Sequence, residues 1–368
     1  MNRSYGTILP LLLLLLLGCK STETQRAPAG ELQRARNVIL LIGDGLGISH
    51  ITAGMIRQGN PLAMEQLPVT GLHKPHAYDD LITDSAAGAT AFATGVKTRN
   101  GTLGLNPEGQ PVKNILEEAE ANGYATGLVT TATLVHPTPA AFLAHLPMRN
   151  QYEAVAQQYL ETEVDLFIGG GLKYFLPEDA SGESVWQQLL KKGYNLSSYR
   201  EGSLMEIPLD FTRKFGYFTA EGDPPKVSEG RDYLPAASRL ATRFLQQTSR
   251  DGFFLMIEGA QIDWASHQND QEYLIEEVLD FDRAVEEAMR FAQRNRETLV
   301  IVTADHETGG YSIQPGSRPD ALIAGFSGDS HTGSLIPVLA YGPGSELFRG
   351  VYDNTAIYHK IKQALGWW

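Results

Sequence analysis

Asn37-Val38-Ile39-Leu40-Leu41-Ile42-Gly43-Asp44-Gly45 decides the fold. Five consecutive apolar residues, rich in β-branched side chains, stop at a glycine and an acid. A run this short, apolar without alternation, reads as a strand buried on both faces and followed by a loop. Gly127 to Thr130, Leu166 to Ile168, Phe253 to Ile257, Leu299 to Thr303 and Leu335 to Ala340 repeat the pattern. Helical spacing fills the intervals: Ile48 to Gln58, Ala86 to Thr94, Val112 to Ala121, Tyr152 to Thr162, Val185 to Lys192, Leu234 to Gln247, Glu272 to Asn295 and Asn354 to Leu365. Strands alternating with helices predict an α/β three-layer sandwich, its central, mostly parallel sheet flanked by helices on both faces. Residues 195–233, richer in polar residues, Gly and Pro, read as a surface excursion.

Three acidic clusters fall at strand ends. Asp44 follows the first strand, Glu258 follows Phe253 to Ile257, and Asp305-His306 follow Leu299 to Thr303. Open α/β sheets bind ligands outside the carboxyl ends of their strands, so these groups are expected to converge in one crevice. Gly43-Asp44-Gly45-Leu46-Gly47 lacks the spacing of a dinucleotide loop, and an acid within it would repel a pyrophosphate; the glycines instead let a carboxylate approach a cation. In Glu258-Gly259-Ala260-Gln261-Ile262-Asp263-Trp264-Ala265-Ser266-His267, Asp263 and His267 stand four apart and share one face of a helical turn. That donor pair suits zinc or a similar metal. Asp305-His306 can serve one ion only where the strand ends and the backbone turns, which Gly309-Gly310 permits. His331, in Ser330-His331-Thr332-Gly333, lies in a small-residue loop before the last apolar run. In Thr83-Asp84-Ser85-Ala86-Ala87-Gly88, a serine beside a carboxylate opens a helix, where free N–H groups and a hydroxyl can meet an anion.

The chain has 368 residues, is 42% apolar and 20% charged, and carries a net charge of −13. Such a balance fits a globular protein and excludes nucleic acid as a dedicated partner. Arg3 and the apolar run Ile8 to Leu17 form a signal-like segment, too short for the about 20 residues that span a bilayer. It ends in Leu16-Leu17-Gly18-Cys19, and Cys19 is the only cysteine. This resembles a bacterial lipobox. The expectation is a signal peptide over 1–18, a lipidated Cys19 beginning a flexible tether over 19–34, and a catalytic domain over 35–368. The protein would then be exported and lipid-anchored to a bacterial membrane, periplasmic or at the cell surface.

Taken in order, Asp44-Gly45-Leu46-Gly47, Thr83 to Thr90, Thr138-Pro139-Ala140-Ala141, Glu258 to His267, Thr303-Ala304-Asp305-His306 and His331-Thr332-Gly333 resemble the alkaline phosphatase family. The resemblance runs from about residue 37 to the end. It implies hydrolysis of phosphate monoesters through a phosphoserine at Ser85. It implies two zinc ions, one on Asp263, His267 and His331, the other on Asp44, Asp305 and His306. A third ion, magnesium with zinc or cobalt as alternatives, would take Asp44, Thr138 and Glu258. Arg149 falls on the family's phosphate clamp, its planar fork suited to two phosphate oxygens. Asp84 would orient Arg149.

The chain departs from the best-known bacterial members, which carry Asp and Lys where His136 and Trp264 stand here. His136 is expected as a ligand or outer partner of the third ion, and Trp264 removes a cation that would reach phosphate. Only 24 residues separate His306 from His331, leaving little or no room for the family's crown insertion and making the usual homodimer less secure. A related phosphodiesterase or phosphotransferase is the closest rival, and a non-catalytic phosphate- or metal-binding lipoprotein a more distant one. A sulfatase is disfavoured because Ser85-Ala86-Ala87-Gly88 lacks the required Pro and Arg. His50, His73, His76, His145, His359 and Lys97 are expected to be structural, and Trp367-Trp368 to pack on the domain.

Overall fold

The computed structural model describes Met1 and residues 33–367. The signal segment, Cys19, nearly all of the tether and Trp368 lie outside them. Among the described residues no helix is long and apolar enough to cross a membrane.

Strands are β1 (Asn37–Gly43), β2 (Val69–Lys74), β3 (Ala125–Thr133), β4 (Leu166–Gly170), β5 (Asn195–Ser198), β6 (Phe215–Phe218), β7 (Phe253–Gly259), β8 (Thr298–Thr303), β9 (Glu307–Thr308), β10 (Ser312–Ile313), β11 (Ala324–Gly325), β12 (His331–Thr332), β13 (Ile336–Tyr341) and β14 (Gly350–Asp353). Helices are α1 (Ile48–Gln58), α2 (Ser85–Thr94), α3 (Ile115–Ala121), α4 (Pro137–Ala140), α5 (Tyr152–Gln158), α6 (Val185–Lys191), α7 (Tyr233–Thr248), α8 (Gln261–His267), α9 (Gln271–Asn295) and α10 (Ala356–Leu365). Ten strands form one sheet in the order β14-β2-β13-β8-β1-β7-β3-β4-β6-β5. Within it only β13 runs against its neighbours, β8 and β2.

The sandwich follows from β1. Its side chains alternate between two buried faces: Val38, Leu40 and Ile42 join one core with Phe92, Phe142 and Ile361, while Ile39 and Leu41 join the other with Phe244, Val278 and Phe281. Burying each such side chain contributes about 1.5–3 kcal/mol, so a charge at any position in this run would unseat the layer that side chain packs against. The 25-residue α9 covers one face with Leu274, Val278, Phe281, Val285 and Ala288 turned inward and Arg283 and Arg290 turned out.

Three local expectations are corrected. The 195–233 segment is no mere excursion, because β5 and β6 complete one edge of the sheet and Phe215, Tyr217 and Phe218 are buried. Gly216 permits this: a Cβ there would fall 2.3 Å from the Phe167 ring. α3 begins at Ile115 rather than Val112, since Asn114 caps it, accepting from the N–H groups of Leu116 and Glu117. Strands β2 and β14 were not anticipated. β2 alternates buried and exposed residues, a weaker signal than a continuous apolar run. Between His306 and His331 there is no separate subdomain, only the two-residue ladders β9–β12 and β10–β11 and their turns. Trp367 packs edge-on against Tyr124.

Candidate active site

Sheet order brings the acidic clusters together. β1 lies between β7 and β8, with Ile42 opposite Glu258 and Thr303. Asp44, Glu258 and Asp305 therefore leave three adjacent strands at one end of the sheet. β3 flanks β7 on the far side and leads into His136, Pro137 and Thr138. α8 contributes Asp263 and His267, and β12 brings His331 alongside through its pairing with Thr308. Asp44, Glu258, Asp305 and His306 are wholly buried.

Three groups of donors result, each with its ligand atoms within 4.8 Å of one another: Asp263, His267 and His331; Asp44, Asp263 and His306; and Asp44, His136 and Glu258. Asp305 joins the second group, its Oδ2 3.2 Å from His306 Nε2, and Asp44 Oδ1 lies 3.4 Å from the same nitrogen. In the first group the Nε2 atoms of His267 and His331 stand only 3.2 Å apart, facing Asp263 at 3.3 and 3.6 Å. Ser85 Oγ is 3.3 Å from His306 Nε2.

The helix start that presents Ser85 is unstrained. Asp84 is extended, with φ −99° and ψ 171°, and its carboxylate caps α2 by accepting from Ala87 N–H at 2.9 Å. The other carboxylate oxygen accepts from Gly101 N–H and from Arg149 Nη1, both at 2.9 Å. Arg149 is thereby tied beside Ser85. Trp264 is half-buried, its ring edge-on to His136 with centroids 5.9 Å apart.

The outer histidines hydrogen-bond elsewhere: His50 to Gly47, His73 to Ala304, His76 to Ala77, and His145 to Gly104 and Glu117. His359 stands edge-on to Tyr358, and Lys97 pairs with Asp353.

Titration in this crevice is strongly displaced. Burial, then Asp305, Asp263 and Glu258, push Asp44 well above the usual carboxylate range. Burial, then neighbouring acids, raise Asp305 to about 7 and Glu258 to about 8. Burial also holds His306 far below the ordinary imidazole range and lowers His136 to about 3, with Arg149 assisting. Asp263 moves the other way. Burial alone would raise it, but the hydrogen bond and charge of His267 keep it low, and His267 rises to about 9 against it.

Orphaned polar atoms mark the crevice as fitted to metals. Both carboxylate oxygens of Asp44, Asp305 Oδ2, Glu258 Oε1, Thr138 Oγ1 and His136 Nδ1 are buried without a hydrogen-bond partner. Leaving so many acceptors unmet would cost several kcal/mol, whereas divalent cations satisfy them and the clustered negative charge together. Mixed carboxylate and imidazole donors suit zinc in the first two groups, and in the third the His136 imidazole joins two carboxylates and the Thr138 hydroxyl.

Several further residues were not singled out from the sequence. Thr308 donates to Asp263 Oδ1 at 2.5 Å and lies 3.2 Å from His306 Nδ1, joining two donor groups. Thr130 donates to Glu258 Oε2. The carbonyls of Asp329 and Thr83 receive Nδ1–H of His267 at 2.6 Å and of His331 at 2.8 Å, which leaves each Nε2 lone pair facing the cluster. Thr308 stands between Asp305-His306 and Gly309-Gly310, and a hydroxyl two residues after a histidine is its only signal in the sequence. The carbonyl partners leave no side-chain signature.

The alkaline phosphatase family model matches residues 35–322. Alkaline phosphatase 4 of Bacillus subtilis is 32% identical, with 92% of this chain and 91% of that protein covered. That alignment spans 425 positions against the 368 residues here, so the relative carries segments this chain lacks. Among solved structures, alkaline phosphatase from the Antarctic bacterium TAB5 is 39% identical, with a TM-score of 0.85 and coverage of 92% of this chain and 99% of that one. A TAB5 variant with one histidine changed to aspartate, 38% identical at a TM-score of 0.84 over the same shares, has magnesium bound in its M3 site. With these relatives and a donor set fitted to metals, the chain belongs to the alkaline phosphatase family, metal-dependent hydrolases of phosphate monoesters.

Proposed function

We propose that the chain cleaves phosphate monoesters through a phosphoserine formed on Ser85. The carrying observation is the placement of Ser85 Oγ 3.3 Å from His306 Nε2, in a crevice where Asp44, Asp305 and the Asp263 group converge. Asp263, His267 and His331 would hold one zinc; Asp44, Asp305 and His306 would hold a second. Bound there, two cations lower the pKa of a hydroxyl and neutralise charge on the attacking and leaving oxygens. Arg149, fixed by Asp84, binds two non-bridging phosphate oxygens and aligns phosphorus with Ser85 Oγ. Ser85 Oγ takes the phosphoryl group as the alcohol departs, and water then cleaves the phosphoserine. Thr308 and the Thr83 and Asp329 carbonyls hold the imidazoles in the required tautomer.

For the third group, His136 stands with Asp44, Glu258 and Thr138. We assign His136 to the position of the histidine changed in the magnesium-bound TAB5 variant. A nitrogen donor there favours zinc or cobalt over magnesium in this chain.

The test is hydrolysis of p-nitrophenyl phosphate at alkaline pH after chelation, with zinc, magnesium and cobalt returned singly and together. Activity is expected to vanish on chelation and to return with zinc, with added cobalt serving the third group better than added magnesium. Failure of every combination to restore it would sink the reading.

We also propose export and attachment to a bacterial membrane through lipidated Cys19. The supporting pattern is the leucine run ending in Leu17-Gly18-Cys19. Cys19→Ser is expected to move the protein from the membrane to the soluble fraction, and unchanged partitioning would reject the anchor.

A further inference from the structure

We propose that Leu81 and Ile82 form an apolar shelf for the alcohol portion of the substrate, so that monoesters of alkyl and aryl alcohols are favoured over those of small polar ones. The inference rests on the monoesterase reading above and names its substrate class.

Burial limits where an ester's organic part can point. Ser85 is 2% exposed, and Asp44, Glu258, Asp305 and His306 are fully buried, so these form the floor. The Asp263 group is the open side: His267 is exposed and His331 half-buried. A substituent leaving on that side passes these two imidazoles. Leu81 and Ile82 lie next to the loop that carries His331. Thr83, next in the chain, receives His331 Nδ1–H on its carbonyl at 2.8 Å. Ile82 Cδ1 would touch a Cβ on Gly333 at 3.4 Å, so its side chain leans over the loop that carries His331.

Leu81 is 80% exposed and Ile82 37%. An exposed apolar side chain alone is ordinary, but two adjacent ones beside the His331 loop supply surface for a ligand. Leu335, two residues beyond Gly333, is exposed as well. The shelf is also held in place. Ile82 N–H donates to Asp80, while Asn100 donates to the Ile82 carbonyl and accepts from Asp84 N–H. A fixed surface loses little freedom when a ligand covers it. Its charged neighbours disfavour anionic alcohols, since Asp79 and Asp80 flank it and Arg99 is already paired with Asp79.

The experiment is kcat/KM for n-alkyl phosphates from ethyl to hexyl with the metal-loaded protein. These leaving groups have nearly equal acidity, so chain length reports contact rather than chemistry. On a half-open shelf each methylene is expected to add roughly twofold, about 10- to 20-fold across the series. Leu81→Ser is expected to reduce that slope, the double variant with Ile82→Ser to flatten it, and Leu81→Met to restore it. Circular dichroism and Tm verify that the variants fold, and Leu81, being so exposed, provides a single variant that keeps the test decisive. A flat wild-type series, or a slope retained in the double variant, overturns the shelf. Hydrolysis of p-nitrophenyl phosphate separates the two readings: if it too is missing, the monoesterase reading fails and the shelf with it.

Discussion

Ser85→Ala is expected to lower kcat for p-nitrophenyl phosphate by at least about 10³-fold in metal-loaded protein, since among the described residues no other hydroxyl hydrogen-bonds His306 Nε2. Ser85 opens α2, is 2% exposed, and faces His306 Nε2 across 3.3 Å. Deleting its hydroxyl leaves Arg149 on Asp84 and every metal donor in place, so phosphate affinity should change far less than turnover. Ala is a good helix residue, and Asp84 keeps its cap on Ala87, so Tm should shift by no more than a few degrees. The two effects together identify the role. A loss of turnover accompanied by equal loss of phosphate binding would indicate damage to the crevice, and near-wild-type kcat would exclude Ser85 as the nucleophile. Transfer of phosphate to an alcohol acceptor such as Tris, expected from a phosphoserine, should disappear in the variant.

The crevice was legible because its chemistry is carried by short local runs placed at strand ends. Asp44 and Asp305 could be assigned to a common end of the sheet from the apolar runs that precede them. Asp263 and His267 could be placed on one face from their spacing alone. The linkage of Arg149 to Ser85 could not be read from spacing: it passes through Asp84 and Gly101, and Arg149 lies 64 residues beyond Ser85. Thr130 and the Asp329 carbonyl act through contacts 128 and 62 residues distant in the chain. Sheet edges were hidden for a different reason. β5, Asn195–Ser198, is mostly polar, and β14 is partly exposed, so neither produces the continuous apolar run that marks β1. Interior strands announce themselves through two buried faces, whereas edge strands borrow their order from a neighbour's backbone.

Metal removal is expected to destabilise the protein far more in alkali than in acid. Without cations, Asp44, Asp305 and Glu258 favour their protonated forms, with Asp305 raised to about 7, Glu258 to about 8 and Asp44 also well above its ordinary value. Unfolded carboxylates titrate near 4. A folded pKa above the unfolded one contributes stability that is complete below about pH 4 and is lost as the pH rises through about 7 to 8. The chelated protein must therefore weaken steadily over that interval, by on the order of a few kcal/mol. Metal-loaded protein behaves oppositely, because cations bind the deprotonated donors and stabilise only the folded state. Chelation should lower Tm by on the order of 10 °C at pH 9 and by less than about 3 °C at pH 5.5. Glu258→Gln supplies the control, since an amide cannot ionise: its chelated form should lose less stability between pH 5.5 and pH 9 than chelated wild type. An equal drop at both pH values, or a larger one in acid, would mean that the buried carboxylates are not what the metals neutralise.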